Sequence, residues 1–165
     1  MQESSTFVLA AWSLIVICYD ICTRTIPNFL SLGALLIALL VLAVTGLSVT
    51  HQPASSALIG FVLAMVLTVP GYLFKVLGAG DVKLLSAIGL LCGVNMMLTT
   101  FAVASISVVL FWLLWVKAQR LSHILPFNIN IAVARTSKEK NIPFGAALGA
   151  GLILILLLPG LFNLT

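Results

Sequence analysis

Phe7-Val8-Leu9-Ala10-Ala11-Trp12-Ser13-Leu14-Ile15-Val16-Ile17-Cys18-Tyr19-Asp20-Ile21-Cys22 runs for sixteen residues with one charged side chain, Asp20, close to its end. No polar stripe recurs at helical spacing, so a helix here is apolar on every side and must be surrounded by protein or by lipid. The rest of the chain decides between them. Of 165 residues, 62% are hydrophobic and 7% charged, with mean hydropathy +1.26, against about 25% charged in an ordinary globular domain. Twelve charged side chains cannot solvate the surface of a domain this long. A soluble globular fold is excluded.

Further apolar runs follow at about Phe29–Leu47, Ala57–Phe74, Val82–Gly93, Met96–Val116 and Ile142–Leu161, the last with Pro143 in its first turn, where a missing N–H is tolerated. The expectation is an all-α, polytopic membrane protein of six transmembrane helices, forming one integral-membrane domain over residues 1–165. The fourth run supplies only about 18 Å of helix at 1.5 Å per residue, short of the ~30 Å hydrocarbon core. No internal repeat, low-complexity tract or second domain is visible.

The basic residues orient this layout. Arg24 lies between runs one and two, Lys75 and Lys83 between three and four, and Lys117, Arg120, Arg135, Lys138 and Lys140 between five and six, so all eight fall on one side. The positive-inside rule then places both termini outside. The net charge of +4 and pI near 9.3 follow from this topology and do not call for a nucleic-acid partner. Residues 117–141 form the one sizeable inner loop, within which Ile124–Ala134 reads as an interfacial or re-entrant piece, too short and too broken by Pro126, Asn128 and Asn130 to span. The N-terminus has no basic stretch before its apolar run, which argues against a cleaved signal peptide.

Four acidic residues occur: Glu3, Asp20, Asp81 and Glu139. Glu3 falls outside and Glu139 in the basic loop, leaving the two aspartates, each at the inner end of an apolar run. An ionisable group there is costly, and so is a functional candidate by default. Should the two meet, they share a proton and titrate as a unit. The ionised member can then deprotonate a water while the protonated one polarises a scissile carbonyl. The bland alternative is that Asp20 pairs with Arg24 at i+4 and Asp81 caps the fourth helix.

The residues around them shift the balance. Gly78 and Gly80 in Gly78-Ala79-Gly80-Asp81-Val82-Lys83-Leu84 remove side chains beside a carboxylate and free the local backbone. With Asp20-Ile21-Cys22-Thr23-Arg24-Thr25-Ile26-Pro27-Asn28 and Ile142-Pro143-Phe144-Gly145, they make three patches. In that order, on a six-span chain of this length, the set resembles the type IV prepilin peptidases, membrane aspartic peptidases with a Gly-x-Gly-Asp signature. The resemblance implies cleavage, after a glycine, of the short basic leader of prepilin or pseudopilin precursors at the cytoplasmic face of the bacterial inner membrane. It further implies Asp20 and Asp81 as the catalytic pair, Gly78 and Gly80 shaping the active-site loop, and Arg24 and Lys83 orienting carboxylates or backbone. Paired Cys-x-x-Cys motifs of the long form are missing, so zinc binding and N-methylation are not implied. The chain looks like the short form associated with Tad-type Flp pili, with no cofactor and no metal.

A competing reading is a small proton- or cation-coupled transporter using the same aspartates; its carboxylates would sit deeper in their spans. No His–Asp partner set or ligand cluster supports serine or metal protease chemistry. Cys18 and Cys22 share a helix face but read as packed small residues, and His51 and His123 as loop histidines. Gly89 with Gly93, and Gly145 with Gly149, have the small-xxx-small spacing of close helix packing, used within the monomer or, second, in a homodimer. Trp12, Trp112 and Trp115 are expected near the membrane interface, and Lys138-Glu139-Lys140 in a solvated turn.

Overall fold

The computed structural model describes residues 2–122 and 144–158, and its elements are five helices: α1 (Gln2–Thr23), α2 (Asn28–Thr45), α3 (Ala54–Leu73), α4 (Ala79–Ser122) and α5 (Phe144–Leu157). Four stretches, Ser5–Thr23, Asn28–Thr45, Ala54–Leu73 and Ala79–Lys117, are long and apolar enough to cross a membrane, and α5 is apolar but shorter. Helices suit such a chain because they satisfy every backbone polar group within the segment, which lipid cannot do. The outer faces carry large apolar side chains, with Val44 83% and Phe7 73% exposed, an arrangement stable against hydrocarbon and not against water.

Local chemistry sets the helix ends. Pro27 and Pro53, with φ near −64° and −62°, precede α2 and α3. Gly46 closes α2 in the left-handed region at φ 71°, its N–H returning to the Leu42 carbonyl, which glycine does without steric cost. Arg24, at φ 52°, similarly follows the end of α1.

α4 is two helical segments in one continuous stretch. Gly93 lies between them with φ 81° and ψ 176°, far from helical values. Uninterrupted helix would carry Phe101 about 30 Å from Asp81. Instead the Phe101 ring packs 6.3 Å from that of Phe144, and Phe144 lines the same cavity as Asp81, so the chain doubles back at Gly93. The groups freed by the break find partners elsewhere. Thr50 Oγ1 donates to the Cys92 carbonyl at 3.2 Å and Thr50 N to that of Leu91 at 3.3 Å, while Ser56 Oγ accepts from Val94 N at 3.2 Å. These bonds satisfy two of the orphan carbonyls and one of the orphan N–H groups that the two helix ends expose.

The segment 79–92 is the centre of the molecule. Leu84, Leu85, Ala87, Ile88 and Leu90 are each at most 1% exposed, joined in the core by Val16, Leu148 and Leu152. Its shortness, noted from the sequence, has its reason here: protein rather than lipid encloses it. α3 approaches so closely that a Cβ on Gly89 would lie 2.6 Å from the Gly60 carbonyl carbon. α1 packs chiefly on α5 and α2 on α4, with Gly149 opening room for Ile17 and Ser13 of α1.

Several expectations need adjusting. Gly93 does not serve small-residue packing in a helix interior; it is the reversal point. The segment after it stays helical past Val116 to Ser122, so Lys117 and Arg120 lie on helix rather than in a loop. Cys18 and Cys22 are exposed, not packed. Trp12 stands midway along α1, half-buried, donating from Nε1 to the Leu30 carbonyl at 3.4 Å, whereas Trp112 and Trp115 are exposed. The interfacial piece expected over Ile124–Ala134, His123, the Lys138-Glu139-Lys140 turn and the Ile142-Pro143 half of the third patch lie outside the described residues.

Candidate active site

α1 delivers Asp20 to one end of the molecule, where its side chain is 4% exposed. The free N–H groups in the first turn of a helix form a ready site for a carboxylate, and α5 presents such a turn here. Asp20 Oδ2 accepts from Ala146 N at 2.6 Å. Gly145 makes this approach possible: a Cβ there would stand 3.1 Å from Asp20 Oδ2 and 2.6 Å from Ile26 Cδ1.

Asp81 lies in the first turn of α4, and its Oδ2 accepts from Gly78 N at 3.0 Å while Asp81 N donates back to the Gly78 carbonyl at 3.1 Å. The first bond is the acid half of a capping box, in which a third-position carboxylate takes the N–H of the residue at the helix start; the second is a backbone turn bond, since Gly78 has no side chain to return the contact. Asp81 thus braces the helix start from inside the first turn, not as the N-cap residue weighed from the sequence, and its carboxylate also lines the cavity. Gly78 and Gly80 do not take left-handed backbone angles; among the described residues, the glycines with positive φ are Gly46 and Gly93. Their smallness matters instead, because a Cβ on Gly80 would come 3.1 Å from Ile26 Cβ.

Both carboxylates line one open cavity of about 270 Å³, whose wall also includes Arg24, Thr25, Ile26, Val76, Gly78, Ala79, Gly80 and Phe144. Of the residues singled out from the sequence, Asp20, Asp81, Gly78, Gly80 and Arg24 thus meet at one place, and Lys83 does not join them. Its Nζ donates to Asn28 Oδ1 at 2.9 Å, outside the cavity wall, so it touches the start of α2 rather than a carboxylate. Ile26, Val76, Phe144 and the Ala146 amide were missed. Ile26 and Phe144 belong to quoted patches, and their aliphatic or aromatic nature masked them; nothing in the sequence marks a backbone N–H as a ligand.

A cavity with two carboxylates, open to water and lined on its other side by Ile26, Val76 and Phe144, can hold an extended peptide against a general acid and a general base. Among the described residues, no three His, Cys, Asp or Glu side chains gather as metal ligands would. No curated protein and no solved structure matches the chain. A family model described as the type IV leader peptidase family matches residues 7–113, a span that holds both aspartates, and the chain belongs to that family.

Proposed function

We propose that this protein is an aspartic leader peptidase that removes the short basic leader of prepilin-like precursors by cutting after a glycine at the cytoplasmic face of the bacterial inner membrane. The observation that carries the reading is the convergence of Asp20 and Asp81, sixty-one positions apart in sequence, on one cavity beside the Gly78–Gly80 loop. Family membership favours this over an ion-coupled transporter.

The reaction needs only the pair and a water. The ionised carboxylate takes a proton from water as its oxygen bonds to the scissile carbonyl carbon. The protonated carboxyl donates to the carbonyl oxygen, giving a gem-diol. Collapse breaks the C–N bond, a proton passes to the leaving nitrogen, and the pair returns to its starting state. The backbone donors Ala146 N and Gly78 N hold one oxygen of each carboxylate, leaving the others for water and substrate.

Six spans with both termini outside accommodate this chemistry. The reversal at Gly93 divides α4 into two crossings, α5 supplies the sixth, and Arg24, Lys75 and Lys83 lie at the cavity end, as the positive-inside rule requires of a cytoplasmic face. The precursor's apolar helix stays in the bilayer. The whole chain acts as a single domain of the short form, serving Flp-type pilins, as monomer or homodimer, without a resident cofactor.

The test is to reconstitute the purified protein in phospholipid vesicles with a precursor carrying a basic leader, a glycine and an apolar helix, and to weigh the products. One cut after the glycine is expected. An intact precursor together with proton or cation flux across the same vesicles would establish the transporter instead.

A further inference from the structure

The turn joining α1 to α2 and the first residue of α2 touch the start of α4 at two places that bracket Asp81. Ile26 lies against Gly80, with 3.1 Å between its Cβ and the position a Gly80 Cβ would take. Two residues further on, Asn28 Oδ1 accepts from Lys83 Nζ at 2.9 Å. Gly80 and Lys83 are three apart on a helix, so they share a face, and that face is the one applied to the turn. The bond to the ammonium is of the stronger, charge-assisted kind.

Ile26 also reaches the other carboxylate's support. The space left by Gly145 is taken by Ile26 Cδ1, only 2.6 Å from where a Cβ would be, and the next amide, Ala146 N, is the donor to Asp20. One side chain therefore separates the Asp81 loop from the helix turn that holds Asp20, and Asp20 itself lies in the last turn of α1.

We infer that Ile26 and Asn28 are positioning residues that set the separation of the two carboxylates, Ile26 as the spacer between Gly80 and Gly145 and Asn28 as the anchor for Lys83. The kinetic consequence rests on the peptidase reading; the geometric one does not. Small displacements of reacting groups carry large rate penalties, so slackening the bracket lowers turnover rather than substrate binding.

The test uses the full chain in vesicles, with the synthetic precursor described above and amide hydrogen exchange over residues 78–82 as an activity-independent readout. Ile26→Ala and Asn28→Ala are expected to lower kcat by about tenfold or more at nearly unchanged KM, and to speed exchange at 78–82. Lys83→Met should match Asn28→Ala, the double variant should be no worse than either, and Lys83→Arg should recover most of the lost rate. Ile155→Ala, an equally aliphatic truncation at the far end of α5, should leave kcat and exchange at 78–82 as they are. Where Ile26→Ala does not fold, Ile26→Val and the Asn28 and Lys83 variants carry the test. Additive losses in the double variant, a loss confined to KM, or unchanged kcat with unchanged exchange overturns the inference. If the wild-type chain leaves the precursor uncut, the peptidase reading fails and exchange alone decides. Faster exchange in Asn28→Ala but not in Ile155→Ala upholds the bracket, and unchanged exchange overturns it.

Discussion

Asp81 takes its backbone hydrogen bond from Gly78, three residues earlier in the chain, whereas Asp20 takes its own from Ala146, 126 residues later. The first contact forms whenever α4 starts correctly. The second exists only once α5 has docked along α1, with Gly145 and Gly149 admitting Ile26 and Ile17. The two carboxylates share a cavity, yet one depends on a local turn and the other on the assembled helices. Perturbing Asp81's support should therefore stay local, and perturbing Asp20's should loosen the fold as well.

Substitutions at the two supports put this asymmetry at risk. Ala146→Pro deletes the N–H that Asp20 accepts while leaving a helix whose first turn tolerates proline. A hydrogen bond to a charged group contributes about 1.5–3 kcal/mol, so kcat/KM should fall roughly ten- to hundredfold, with a lower midpoint of thermal unfolding. Gly145→Ala keeps the donor but introduces a Cβ 2.6 Å from Ile26 Cδ1 and 3.1 Å from Asp20 Oδ2. Overpacking of this kind costs about 1–3 kcal/mol, and thermal unfolding beside a cleavage assay should show stability and turnover falling together.

On the other side, Gly78→Ala places a Cβ 3.3 Å from Asp81 Oδ2, a mild crowding with no other side chain within 4 Å. Its expected effect is a rate loss of less than about threefold with no change in unfolding midpoint. A midpoint drop as large as that of Gly145→Ala would dissolve the contrast. The smallest effect belongs to Cys18→Ser with Cys22→Ser: both thiols are exposed on α1 and away from the cavity wall, so cleavage rates with and without a zinc chelator should match the parent's.

The same contrast explains what could be read without coordinates. Apolar runs separated by Pro27, Gly46 and Pro53 announce α1 to α3, because lipid demands helices and these residues begin or end them. Asp81 as a helix-start acid is equally legible, since capping partners lie within one turn. The convergence of Asp20 with Asp81 rested on topology and on family-like patches rather than on spacing. Asp20's donor was out of reach, because a backbone amide has no residue type to recognise and this one lies near the far end of the chain. The partner of Lys83 was hidden for a related reason: a lysine two residues from a carboxylate invites pairing with it, but on a helix that spacing turns the two side chains apart, and Lys83 reaches Asn28. The central position of segment 79–92 also escaped, since an all-apolar helix looks alike whether protein or lipid surrounds it.

The proposed cleavage requires Asp20 and Asp81 to act as one catalytic pair. The direct measurement is single-turnover cleavage of the precursor by Asp20→Asn and Asp81→Asn, each reconstituted in vesicles and shown by circular dichroism to keep the parent's helix content. The pair predicts that either substitution alone abolishes cleavage, since neither a lone base nor a lone acid completes the water attack. Undiminished processing by either variant would contradict it.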